Sequence, residues 1–134
     1  MAQTQQAQTA AQVVESIYAA FNRGDIAYIV SQVAPSASWR QPKTLPWGGD
    51  YTGPQGAMEF FTRLGAAMKT VAFEPQETIA SGNEVFSFGE YEGESVKTGK
   101  SARARWAFRW RVENGKIAAY DSYIDTAALM AAMA

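Results

Sequence analysis

Any chemistry this chain performs must come from carboxylates, hydroxyls, amides, guanidiniums and aromatic rings, because its 134 residues include neither cysteine nor histidine. A thiolate nucleophile, a Ser-His-Asp triad and a zinc site built on sulfur or imidazole are thereby excluded, and neither a metal nor a cofactor is expected. The densest run of chemically capable residues is Ser101–Val112, which sorts with period two. Ala102, Ala104, Trp106, Phe108, Trp110 and Val112 fall on one side, and Ser101, Arg103, Arg105, Ala107, Arg109 and Arg111 on the other. The arginine face could bind an anion. A net charge of −1, from 12 Lys and Arg against 13 Asp and Glu, offers no long-range attraction to nucleic acid or to an anionic membrane. Glu90, Glu92 and Glu94 share the arginines' parity, and a two-residue turn at Thr98-Gly99 sets Glu94 opposite Arg103 and Glu92 opposite Arg105. A paired outer face is the resulting expectation. The aromatic face either plugs a core or walls a small-molecule cavity.

Asp121 is the weak candidate for acid–base work, and its position depends on one turn. A two-residue Asn114-Gly115 turn puts Ala119, Asp121 and Tyr123 on the aromatic side of the sheet. A three-residue loop with a bulge puts Tyr120, Ser122 and Ile124 there instead.

The elements that must position these groups follow from periodicity. Residues 1–11, rich in Gln, Thr and Ala, read as a flexible leader without the features of a signal peptide, and residues 12–134 as one domain. No stretch approaches the roughly 20 apolar residues of a membrane span, so a cytoplasmic protein is expected. Val13, Ile17, Ala20 and Phe21 recur at helical spacing and stop at Gly24. Asp25 caps a second helix carrying Ile26, Ile29, Val30 and Val33. A short strand, Ala37–Gln41, precedes a loop over Pro42–Gly53. A third helix then opens at Pro54 with a stripe of Ala57, Phe60, Phe61, Leu64 and Met68. Strands follow near Val71–Ala80, Glu84–Glu92, Lys100–Val112 and Lys116–Ile124, and Asp125 caps a helical tail over Ala127–Ala134. The prediction is an α+β domain whose sheet curls around its helices.

The chain resembles the SnoaL-like and ketosteroid-isomerase-like members of the nuclear transport factor 2 superfamily over about residues 12–130. The resemblance rests on Ala19-Ala20-Phe21-Asn22-Arg23-Gly24-Asp25, Gly48-Gly49-Asp50-Tyr51-Thr52-Gly53, Glu113-Asn114-Gly115-Lys116-Ile117 and Tyr123-Ile124-Asp125-Thr126. It implies a cone-shaped fold, a curved mixed sheet around a hydrophobic pocket, which often dimerises through the outer sheet face. Carried over position by position, the isomerase base falls at Gln41, its oxyanion tyrosine at Ile17 and its protonated aspartic acid at Trp106 or Ala107. The epoxide-hydrolase Arg and Asp pair and its partner Asp fall at Gly89, Tyr91 and Ser122, and the Tyr and Asn that hold the water there fall at Trp39 and Gln41. The same comparison favours the bulged turn, with Asp121 outward near Arg109. A neutral amide cannot serve as a general base. The expectation is therefore a homodimeric protein that binds a small hydrophobic molecule, with pocket residues Trp39, Gln41, Trp47, Tyr91, Trp106, Phe108, Tyr120, Ser122 and Ile124. The alternatives are a polyketide-cyclase-like or steroid-isomerase-like enzyme using Asp121, and a non-catalytic dimerisation module.

Overall fold

α1 (Ala10–Asn22) begins with a reciprocal cap in the computed structural model of the chain, which describes residues 8–134. The Thr9 hydroxyl accepts from the Gln12 N–H, and the Gln12 side chain accepts from the Thr9 N–H. The helix thus takes in the last two residues of the expected leader, whose residues 1–7 lie outside the described residues. Gly24, at φ +75°, ends it, and Asp25 caps α2 (Ile26–Ser31) by accepting from the Tyr28 N–H.

Val33 does not continue α2. It opens β1 (Val33–Gln41), which is longer than the expected Ala37–Gln41 strand and carries Pro35 where its pairing is irregular. The expected loop after Pro42 holds a further strand, β2 (Gly49–Thr52), antiparallel to β1 with Trp39 opposite Tyr51. Its four residues are too few, and too polar, to show a period. α3 (Gly53–Ala67) has proline in its first turn, as expected. Met68, assigned to its stripe, begins β3 (Met68–Ser81) instead.

β4 (Glu84–Ser95), β5 (Ser101–Glu113) and β6 (Lys116–Ile124) complete one mixed sheet of order β2-β1-β6-β5-β4-β3, curved and not closed, in which only β1 and β6 run parallel. α4 (Thr126–Met133), capped by Asp125 through the Ala128 N–H, packs on β5 and β4. The charged face is real, but its register differs by one pair from expectation: Glu92 lies opposite Arg103 and Glu90 opposite Arg105. Four residues, Val96–Gly99, separate Ser95 from Lys100, whose carbonyl accepts from the Ser95 N–H at 2.9 Å, and the Thr98 N–H donates to the Ser95 hydroxyl inside this wider turn. A change of two residues preserves parity, so the inner and outer faces stand.

Candidate functional site

Three inner rows of the sheet build the floor of one cavity. Trp39, Tyr120, Trp110 and Val85 follow one another across β1, β6, β5 and β4; Ser122, Phe108 and Ser87 form the next row, with Gln41 at its β1 side; Ile124, Trp106 and Gly89 form the third. Tyr18 and Phe21 of α1, Phe60 and Phe61 of α3, and Phe73 of β3 cover it. Rings pack on rings throughout. Trp106 stacks on Phe108 at 4.0 Å and on Phe73 at 5.0 Å, Trp110 stacks on Tyr120 at 4.1 Å, and Trp39 meets Tyr120 edge-on at 4.6 Å. Pairs of this kind add about 0.5–1.5 kcal/mol beyond simple burial. Gly89 is needed for this layer, since a methyl group there would overlap both the Trp106 ring and the Glu74 carbonyl.

The rings leave free a space of roughly 80 Å³. The nine residues expected at a pocket all border it. Trp39, Gln41, Trp106, Phe108, Tyr120, Ser122 and Ile124 come from the sheet rows; Tyr91 comes from farther along β4, and Trp47 from the folded-in β1–β2 connection, where its carbonyl accepts from the Tyr51 hydroxyl at 3.0 Å. The sequence reading missed the covering residues from α1, α3 and β3. The helical period of those on α1 and α3 marks them as buried but cannot say which neighbour they face. Trp110, read as part of the aromatic face, also borders the cavity, and its indole N–H donates to the Tyr18 hydroxyl at 2.8 Å.

Asp121 stands outside. The chain uses a two-residue turn, with Asn114 at φ 52° and Gly115 at φ 75°, and then a bulge: Val112 pairs with Ile117 while Arg111 pairs with Ala119, leaving Ala118 unmatched. Turn and bulge, posed as alternatives by the sequence, occur together. The extra residue shifts parity, so Tyr120, Ser122 and Ile124 face the aromatics. Asp121 lies opposite Arg109, 3.4 Å from its Nε, and 4.0 Å from the Arg40 Nε. The aspartate that an acid–base reaction in the cavity would need is therefore on the wrong face of β6.

No Asp, Glu, Lys or Arg borders the cavity among the described residues. Its ionisable groups are tyrosines, and burial drives them away from ionisation. Tyr18 is pushed up to about 12, against the smaller opposing effects of Ser87 and Trp110. Tyr120, likewise buried, is raised further by the same cause, and its neighbours Gln41 and Ser122 offset only part of the rise. Tyr91 is raised by burial too, despite its hydroxyl lying 3.2 Å from that of Thr70. Near neutral pH the cavity offers neutral hydrogen-bonding groups and no base.

A family model described as a SnoaL-like domain matches residues 14–120, most of the chain. The chain belongs to the SnoaL-like family. Among solved structures, this SnoaL-like chain is similar to an NTF2-like protein from Burkholderia thailandensis, with a TM-score of 0.89 and 32% identity, covering 95% of this chain and 98% of that one. It is also similar to TerC co-crystallised with polyporic acid, with a TM-score of 0.80 and 25% identity over 92% of this chain and 97% of that one. A curated relative, patulin synthesis protein F of Aspergillus clavatus, is 32% identical over 85 residues, which are 61% of this chain and 43% of the relative. The match thus spans less than half of that relative's length. Among the described residues, no helix is long and apolar enough to cross a membrane.

Proposed function

We propose that this SnoaL-like chain binds a small aromatic or apolar molecule in the cavity between its sheet and α1, α2 and α3. The observation that carries this reading is an unfilled space inside a ring-lined core to which the described residues contribute a few polar groups and no charged one. Close packing is the rule in protein interiors, and an empty gap costs stability that a bound ligand would restore. A dry apolar cavity of roughly 150 Å³ holds benzene. A single ring thus needs about twice the present space. The half-buried Phe21, Phe61 and Leu64 form the side that can yield. The co-crystal of TerC with polyporic acid supports a ligand-binding role.

Thermal unfolding in the presence of single-ring aromatics tests the proposal. A ligand at 100 times its dissociation constant stabilises by about 2.7 kcal/mol, which for a domain of this size raises the melting temperature by on the order of 5–10 °C. Leu64→Trp, which fills the yielding side, is expected to fold and to abolish the shift. Asp121→Asn is expected to leave ligand affinity within about twofold, as no cavity group contacts that carboxylate; a large loss of affinity would restore a role for it. A panel that never shifts the wild-type melting temperature would overturn the proposal.

We further propose that the chain forms a homodimer through the outer sheet face. Phe88, Ala107 and Tyr123 lie side by side in one cross-strand row and line an outer groove together with Arg105. Phe88 is 40% exposed and Tyr123 66%, and arginines and glutamates flank them, the pattern of an apolar interface centre with a charged rim.

A further inference from the structure

The Asn114-Gly115 turn that joins β5 to β6 also holds reactive chemistry. The chain has three asparagines, Asn22, Asn83 and Asn114, and of these Asn114 alone precedes a glycine. A side-chain amide is an electrophile for the backbone nitrogen of the next residue, and a glycine there puts no Cβ in the way. The fold separates the three sites further. Asn22 ends α1, and the N–H of the following Arg23 is held by the Ala19 and Ala20 carbonyls at 3.1 and 3.2 Å. Asn83 precedes Glu84, which carries a side chain and pairs with Ser81 in the β3–β4 ladder, and the Asn83 carbonyl accepts from the Val112 N–H at 2.9 Å. Asn114 is less constrained. Glu113 pairs with Lys116 across the turn, and no backbone carbonyl among the described residues accepts from the Gly115 N–H. Asn114 is exposed, and the space beside the Gly115 α-carbon is open.

We propose that Asn114 is a site of spontaneous covalent modification, converting through a cyclic imide to aspartate and isoaspartate and so loosening the β5–β6 hairpin. The Gly115 nitrogen, once it gives its proton to solvent, attacks Asn114 Cγ; the bond from Cγ to Nδ2 breaks, and ammonia leaves with a proton taken from water. Water then opens the five-membered ring. Cleavage between the Gly115 nitrogen and Cγ gives aspartate, and cleavage between that nitrogen and the Asn114 main-chain carbonyl carbon gives isoaspartate. An amide and water become a carboxylate and ammonium, with nothing oxidised or reduced. Isoaspartate routes the backbone through the side chain, which adds a methylene to a turn whose two residues both sit at positive φ, 52° and 75°. That turn leads directly into β6. The Ile117 N–H donates to the Gln32 carbonyl at 2.8 Å, the Lys116 Nζ donates to the Ser31 carbonyl at 2.9 Å, and the bulge at Ala118 follows. Either product also sets a carboxylate next to Glu113, which already shares Arg111 with Glu84. The longer isoaspartyl backbone closes this hairpin less well than the native turn.

Incubating the whole folded chain in mildly alkaline buffer, then reading it by peptide mass spectrometry and isoaspartyl methyltransferase labelling, tests the proposal site by site. Asn22 and Asn83 serve as internal controls. Conversion at Asn114 is expected to run roughly tenfold faster than at either, the effect of a barrier lower by about 1.4 kcal/mol. Asn114→Asp carries the added charge on an unaltered backbone, and its side chain tolerates the positive φ. Its melting temperature is expected to stay within about 1 °C of wild type, because one exposed charge contributes little. The isoaspartyl form, separated by chromatography, is expected to melt lower by on the order of 5 °C. Conversion at Asn114 no faster than at Asn83 would overturn the modification site. An isoaspartyl chain that melts together with Asn114→Asp would overturn the loosening of the hairpin.

Discussion

At the scale of single residues, burial rather than charge sets the chemistry of the cavity. Tyr18, Tyr91 and Tyr120 border a space that, among the described residues, no carboxylate, ammonium or guanidinium lines, and each hydroxyl is held neutral by loss of solvent. Ligand affinity is therefore expected to be flat between pH 6 and 9, which titrations at several pH values check. The alkaline limb follows from sign. A tyrosine raised in the folded state stabilises fully below its unfolded value near 10, and that contribution disappears as pH rises through the folded value. For Tyr18 the window is from 10 to about 12. The melting temperature should fall across it, and the fall should be shallower in Tyr18→Phe.

Among the elements, β6 decides the most. Its bulge at Ala118 sends Tyr120, Ser122 and Ile124 to the cavity and Asp121 to Arg109 and Arg40. Deleting Ala118 would restore a regular hairpin, turn Asp121 into the aromatic layer and turn Tyr120 out toward solvent. A carboxylate buried among rings without a partner is costly, so the deletion variant is expected to lose at least several kcal/mol and its cooperative melt, read by circular dichroism. A melt close to wild type would mean that the bulge does not hold this register. Gly89 makes a similar point in β4, where the absence of a side chain lets the Trp106 ring lie flat across the strand.

The whole molecule puts its charge outside and its aromatics inside, and its outer face is not uniformly polar. Phe86 and Phe88, each 40% exposed, and Tyr123 lie among ion pairs such as Arg103 with Glu92 and Arg111 with Glu84. Such exposed pairs contribute little to stability, about 0–1 kcal/mol each, and act mainly on register and on what may approach. If this face joins two copies, Phe88→Glu should convert a dimer to a monomer in sedimentation experiments while leaving the monomer's far-UV circular dichroism intact. A wild-type chain that sediments as a monomer at high concentration would remove the dimer proposal.

Periodicity alone separated the inward Trp106, Phe108 and Trp110 from the arginines, because a strand side chain has only two directions to choose from. Capping chemistry likewise marked Asp25 and Asp125, and the lack of cysteine and histidine removed whole classes of reaction before any fold was considered. The remainder depended on contacts distant in sequence. β2 is a strand because β1 offers it an edge, and Val33 and Met68 leave their helices because sheet partners claim them. Asn114-Gly115 specified a tight turn, but the bulge after it is fixed by how Tyr120 packs on Trp39 and Trp110. The space beside Gln41 belongs to no local segment. It exists only where β1, β5 and β6 converge beneath α1 and α3, since a cavity is a property of packing between elements and not of any one of them.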